Sequence, residues 1–253
     1  MCRWAAYCGD PIYISDIVTD PDHSLIQQSR RASQGLTPTN ADGFGVAWYG
    51  SRPEPGLYRD IYPAWSDPNL KSLACQVQSG LFMAHVRAST GTATSRNNCH
   101  PFAVKRWSFM HNGQIGGFER FRKQADMMIA DELYASRKGA TDSEALFLLA
   151  MTAGLDASPK SALKTAVEQL QALSETRGEA PHMRITAAIS DGEQLYALRA
   201  ASDEHAPSLY YRREAAGWLV VSEPLQDDAR GYTEVPSGSF CRFDRNDMAI
   251  EPF

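Results

Sequence analysis

Five short stretches of this chain carry residue types that could do chemistry. The first is the opening, MCRWAAYCGD, where a cysteine stands second. If the initiator Met1 is removed, Cys2 holds a thiol and a free α-amine, a nucleophile and a base in one residue. Taken alone, the plainer account of Cys2 is a small buried residue at the start of a strand. The second stretch is HVRAST (85–90). Arg87 closes an apolar run there, and its guanidinium could grip a carboxylate in a two-pronged fashion, although most arginines form surface ion pairs. The third, MHNGQIGG (110–117), sets Asn112-Gly113 after another apolar run. Such a pair usually makes a hairpin turn, yet a carboxamide NH₂ and a glycine N–H can converge on one developing oxyanion. The fourth, TDSE (141–144), places Asp142 at a helix start, where it caps free N–H groups or faces a ligand ammonium. The fifth, NNCHPF (97–102), sets Cys99 beside His100, but adjacent side chains seldom meet. The 6 histidines show no HxxxH or CxxC spacing, so no metal is expected.

The elements that must position these residues can be read from pattern. CRWAAYC (2–8) is a buried strand ended by the turn-like GDP. SLIQQSRRAS (24–33) is a helix capped by Ser24. GFGVAWYG (43–50) is a strand, RPEPG (52–56) a loop, and Ser66-Asp67-Pro68 starts a helix with Pro where its missing N–H does no harm. LFMAHVR (81–87) and RWSFMHN (106–112) are strands that end in chemically capable residues, and the polar stretch between them is loop. Residues 117–138 form a broken amphipathic helix. Residues 141–154 form a helix opened by Thr141 with Glu144 three positions on, and its long apolar run implies burial on several sides. A further helix covers 158–175. After residue 183 the chain turns β-rich, with tight turns such as DGE (191–193) that indicate antiparallel hairpins. Strands, then helices, then strands imply an α+β fold with antiparallel sheets.

Composition narrows the classes. The chain has 253 residues, 43% hydrophobic and 22% charged, enough for a sizeable core. Without a Gly/Ser/Pro-rich linker, residues 1–253 are expected to form one domain. The formal net charge is −5 and the basic residues form no stripe, which argues against nucleic acid. No apolar run reaches membrane-spanning length, and Asp10-Pro11 interrupts any signal-peptide core. The 5 cysteines are odd in number and widely spaced, as free thiols in a reducing cytoplasm would be.

In order, Cys2, HVRAST, HNG (111–113) and TDSE resemble the class II glutamine amidotransferases, which are N-terminal-nucleophile hydrolases. NADGFGVAWYG (40–50) and VVSEPL (220–225) are most similar to the stand-alone branch of that family, which includes enzymes that cleave γ-glutamyl amides. The resemblance runs across nearly the whole chain. It implies a four-layer αββα sandwich of two antiparallel sheets flanked by helices, with Cys2 at the end of a central strand, at the mouth of a cleft. It implies that Met1 is removed and that Cys2 attacks the γ-amide of glutamine or a γ-glutamyl amide. The freed α-amine, whose ordinary pKa is about 7.7–8.0, then serves as base. Asn112 and Gly113 would form the oxyanion hole. Arg87, helped by Ser89 or Thr90, would bind the substrate α-carboxylate, Asp142 the α-ammonium, and His111 would hold its loop. Ala88 stands where related enzymes often carry an aromatic residue, which implies a wider pocket edge. No cofactor is implied.

With no synthase half in view, the enzyme either hydrolyses a γ-glutamyl small molecule outright or passes ammonia to a separate synthase. The sequence leaves a homo-oligomer open. Two rivals use the same residues differently. One is a Cys–His hydrolase pairing Cys99 or Cys75 with His85 or His111. The other is a non-catalytic domain that binds glutamine as a sensor.

Overall fold

The computed structural model describes residues 2–34, 39–89, 91–226 and 229–253. Its strands are β1 (Arg3–Tyr13), β2 (Phe44–Trp48), β3 (Gly56–Asp60), β4 (Gln78–Val86), β5 (Phe102–Val104), β6 (Trp107–Gln114), β7 (Arg184–Ser190), β8 (Leu195–Ala201), β9 (Tyr210–Arg213), β10 (Gly217–Val221), β11 (Thr233–Glu234), β12 (Ser239–Phe243) and β13 (Met248–Pro252). Its helices are α1 (Ser15–Val18), α2 (Leu25–Arg30), α3 (Pro68–Gln76), α4 (Phe118–Asp126), α5 (Asp131–Tyr134), α6 (Asp142–Thr152) and α7 (Pro159–Arg177). One sheet runs β11-β9-β10-β1-β4-β2-β3 and the other β13-β12-β8-β7-β6-β5, with antiparallel pairing throughout.

Side-chain alternation makes the layers. In β1, Trp4, Ala6 and Cys8 point between the sheets, where they join Met83, Met110 and Ala188. Ala5 and Tyr7 point the other way, into a core shared with Ile17, Leu25 and Leu70 of α1, α2 and α3. In β6, Trp107 and Phe109 face a third core with Phe121, Phe147 and Leu163 of α4, α6 and α7. Three apolar layers therefore separate four structural ones, the helix–sheet–sheet–helix stack that the resemblance implies. α6 is apolar all round because it is covered all round, with every residue from Ser143 to Ala150 buried.

Two local expectations are corrected. Gly9-Asp10-Pro11 does not turn the chain. β1 runs on to Tyr13 and absorbs the Pro as a register shift between Cys8 and Ile12, where a ladder donor is dispensable. Asn112-Gly113 is no hairpin turn either, because β6 continues through it, with Asn112 opposite Thr186 and Gly113 opposite Ile185. The segment after the RPEPG loop, for which the sequence gives no reading, is the edge strand β3, whose weak apolar alternation follows from its exposure. The start of α6 holds half of its expected box: the Glu144 N–H donates to Thr141 Oγ1 at 3.2 Å. The Glu144 carboxylate instead takes Arg137 Nη1 and the N–H groups of Lys138 and Gly139.

Candidate active site

Cys2 lies one residue before β1, with its side chain on the parity of Trp4 and Ala6, facing the gap between the sheets. Asn112 of β6 shares the parity of Met110 and faces the same gap from the other sheet. β1 and β6 touch across the sandwich. The two residues thus come from different sheets, which no spacing in the sequence could reveal.

A cavity of about 470 Å³ opens here. Its wall includes Cys2, Arg87, Ser89, His111, Gly113 and Asp142 of the residues expected from sequence, together with Thr92, His100, Ser143 and the turn 114–119. Asn112, 2% exposed, lies behind that wall between His111 and Gly113. Thr90 and Met1 lie outside the described residues.

The half-buried Cys2 thiol accepts the Ala88 N–H, with Sγ at 3.4 Å from the nitrogen. Burial pushes this thiol up from its ordinary value; the Ala88 N–H and the positive charges of Arg87 and Arg3 oppose that rise.

Arg87 is buried at the end of β4. Its guanidinium donates to the Asp42 carbonyl at 3.2 Å, to Ser89 Oγ at 3.0 Å and to Thr92 Oγ1 at 2.6 Å. Three of its five N–H groups are so occupied, and two have no described protein partner. The Asp42 carboxylate in turn accepts the Ser89 N–H at 2.7 Å, which fixes the loop that bears these hydroxyls. Gly43, beside Asp42, has φ +117°, and a Cβ there would come within 2.5 Å of Cys99 Sγ, so only glycine serves.

Asp142, the first residue of α6, accepts the Ile115 N–H at 3.0 Å on one oxygen and the Ser143 N–H at 2.7 Å on the other. It is half-buried and keeps acceptor capacity toward the cavity. Ser143 Oγ lies 3.2 Å from Asp142 Oδ1 and 2.8 Å from His111 Nδ1, which links the imidazole to the carboxylate. Gly113 is demanded by packing: with φ +150°, a Cβ would strike the Arg184 carbonyl oxygen at 1.8 Å and His111 Nε2 at 2.7 Å.

His100 and His111 line the cavity, and His85 packs against His100. The rings of His85 and His100 sit 4.3 Å apart. Among the described residues, neither ring nitrogen of His85 or His100, nor His111 Nε2, makes a hydrogen bond of normal geometry. Burial lowers the pKa of all three, that of His85 to about 3, so each is neutral near pH 7. Sequence reading misses Thr92, Asp42 and Ser143. The only hint is their place beside Arg87, before a strand and after Asp142.

The cysteine–histidine rival finds no geometry. Cys99 Sγ is fully buried and reaches the carbonyls of Asp60 and Ser95 at 3.4 and 3.5 Å. Cys75 is exposed on α3. Among the described residues no imidazole hydrogen-bonds to a thiol, and no group of His, Cys, Asp and Glu is arranged to hold a metal. No helix among them is long and apolar enough to cross a membrane.

Residues 14–217 match the family Glutamine amidotransferases class-II. The chain belongs to the class II glutamine amidotransferases. It is an enzyme of that class, and the matched span takes in Arg87, Asn112 and Asp142 while leaving Cys2 outside. A solved glutamine aminotransferase class-II domain protein from Silicibacter pomeroyi is 49% identical, with a TM-score of 0.80 over 100% of this chain and 99% of its own. The Saccharomyces cerevisiae protein called "Probable glutamine amidotransferase DUG3" is 31% identical over 300 residues, covering 100% of this chain and 84% of its own. The gamma-glutamyl-hercynylcysteine sulfoxide hydrolase of Mycolicibacterium smegmatis is 28% identical over 240 residues, covering 93% and 92%.

Proposed function

We propose that this amidotransferase hydrolyses the γ-amide of glutamine or of a γ-glutamyl small molecule, with Cys2 as nucleophile after removal of Met1. One observation carries the reading: a sulfur, a guanidinium with two N–H groups that no described residue takes and a carboxylate with spare lone pairs line the same cavity. Those are the groups that a free α-amino acid end and a reactive γ-amide require.

In this reading Arg87 takes the substrate α-carboxylate and Asp142 the α-ammonium, so the γ-carbon faces Cys2. The thiol proton passes to the freed α-amine as sulfur bonds to the amide carbon. The oxyanion that forms is met by the Asn112 carboxamide and the Gly113 N–H; one such donor is worth roughly 3–4 kcal/mol in the transition state. The amine returns the proton to the departing nitrogen, and ammonia or an amine leaves. Water then attacks the thioester and releases glutamate and the thiol. A protein-bound glutamine lacks both free charged ends and is excluded, because the buried Arg87 and the half-buried Asp142 would be left without charged partners. The mycobacterial relative, named for hydrolysis of a γ-glutamyl conjugate, supports outright hydrolysis over delivery of ammonia to a partner.

The test is glutamate release from glutamine and a panel of γ-glutamyl amides, with mass spectrometry of the purified N-terminus. The expected result is a chain lacking Met1, with turnover lost by at least roughly a thousandfold in Cys2→Ala. Turnover that survives Cys2→Ala but not Cys99→Ala would overturn the assignment. A chain that binds glutamine and releases no glutamate from any amide would be the sensor instead.

A further inference from the structure

We infer that Glu223 is a positioning residue for Cys2, acting through Arg3; this rests on the reading of Cys2 as nucleophile. A terminal nucleophile has no preceding chain to hold it, so its orientation depends on what grips its own carbonyl and the residue after it. Here that grip is specific. Arg3 Nη1 donates to the Cys2 carbonyl at 2.7 Å, and Arg3 Nε donates to Glu223 Oε2 at 2.6 Å. Both side chains of this ion pair are 1% exposed. On the alternation of β1, Arg3 points to the helix side while Cys2 faces the cavity, so the guanidinium clamps the nucleophile's peptide from behind.

Glu223 is itself immobilised. Its carboxylate also accepts the Ser33 N–H at 2.9 Å, Ser33 Oγ at 2.6 Å and the Gln34 N–H at 3.0 Å, and His23 Nε2 lies 2.7 Å away. An ionised carboxylate only accepts, so His23 Nε2 carries the proton. Glu223 follows β10, and the Ser222 N–H donates to the Trp4 carbonyl at 3.0 Å, which locks this corner to the second residue of β1. A buried ion pair is a poor stabilising device because desolvation consumes most of its attraction. Among the described residues this one also leaves Arg3 Nη2 without an acceptor. What it does supply is a fixed direction for the Cys2 peptide, and misplacing a reacting group by about 1 Å can cost on the order of a hundredfold in rate.

The experiment measures kcat and KM for glutamate release, and the rate of Cys2 alkylation by iodoacetamide, in Glu223→Gln, Glu223→Asp, Arg3→Lys and Ser33→Ala. The expected result is a kcat lower by roughly tenfold to a hundredfold in Glu223→Gln, with KM unchanged because Arg87 and Asp142 are untouched, and an intermediate kcat in Glu223→Asp. Arg3→Lys keeps the charge but cannot fork to Glu223 and the Cys2 carbonyl together, so it gives the same kcat loss, and it decides the matter if Glu223→Gln does not fold. Ser33→Ala removes one of the five donors to that carboxylate and leaves both Arg3 contacts in place, so it gives at most a small part of that kcat loss. Wild-type kcat in Glu223→Gln or Arg3→Lys, a rise in KM that accounts for the whole loss, or the same kcat loss in Ser33→Ala would overturn the inference. Cys2→Ala run alongside separates the two claims: if it retains turnover, the nucleophile reading has failed, and if it is dead while the clamp variants are normal, only the clamp has.

Discussion

Asp142 and Glu223 are both carboxylates near Cys2, and they are built in opposite ways. Glu223 is 1% exposed and surrounded by five donor contacts from Arg3, His23, Ser33 and Gln34, so its pKa falls to about 2. Asp142 is half-buried, takes one backbone N–H on each oxygen and faces a cavity. A carboxylate saturated by its own chain fixes the frame. One that is aimed and left short of partners is free to hold a ligand.

If that contrast is right, Asp142→Asn is more damaging to activity than any change at Glu223. It removes the charge opposite the substrate ammonium while its carbonyl oxygen can still accept one of the two backbone donors. The expected loss is roughly two to three orders of magnitude in kcat/KM for glutamine, carried by KM, with a melting temperature close to wild type. A large fall in stability with KM unchanged would make Asp142 a frame residue like Glu223.

The second test is acid. The Glu223 pKa is depressed from 4.5 to about 2. A depressed carboxylate contributes stability that is present above its unfolded pKa and is lost as pH falls through the folded one. The loss therefore runs between about pH 4.5 and pH 2 and amounts to on the order of 3 kcal/mol. Denaturant melts at stepped pH check it: Glu223→Gln flattens this part of the stability curve. A Glu223→Gln curve that parallels wild type below pH 4.5 would show the carboxylate is no anchor.

The buried imidazoles carry a cost that sets in at higher pH. His85 is held neutral in the fold, with its pKa lowered to about 3 by burial. The unfolded chain binds that proton near pH 6.5, so stability falls as pH drops from there toward 3. The slope reaches about 1.4 kcal/mol per pH unit for each such histidine. His85→Leu removes one fully buried imidazole, and the slope between pH 6 and pH 4 becomes shallower by up to that amount. An unchanged slope would mean that His85 is protonated in the fold.

The sequence makes much of this legible, and unevenly so. The long helices and strands carry their own periodicity, as in α6 and β4, and the ordered set Cys2, Arg87, Asn112-Gly113 and Asp142 survives folding as neighbours of one cavity. What cannot be read is what depends on contacts between sheets and strands. Asn112-Gly113 has turn chemistry in its letters, yet β7 pairs with it and keeps it straight. Gly9-Asp10-Pro11 has the letters of a strand end, yet neighbouring strands hold β1 extended across it. Thr92 and Ser143 are ordinary loop and helix residues until Arg87 and His111 arrive beside them. Glu223 is far from Cys2 in sequence, and only the β1–β10 pairing brings its corner to Arg3.

Ser143→Ala sharpens the contrast at its finest point, because Ser143 joins the Asp142 region to the buried histidines. Its hydroxyl is the described partner of His111 Nδ1, and the other ring nitrogen makes no hydrogen bond of normal geometry among the described residues. Asp142 loses only the 3.2 Å contact and keeps both backbone donors. An orphaned buried nitrogen costs about 1–3 kcal/mol, so the variant melts lower. With Asp142 still held, KM for glutamine rises only a few fold and kcat stays near wild type. That outcome makes His111 a support for the carboxylate that reads the substrate. A collapse of kcat with KM constant would instead place His111 in the proton path, and the Cys2 amine would have to share with it the work of moving the proton.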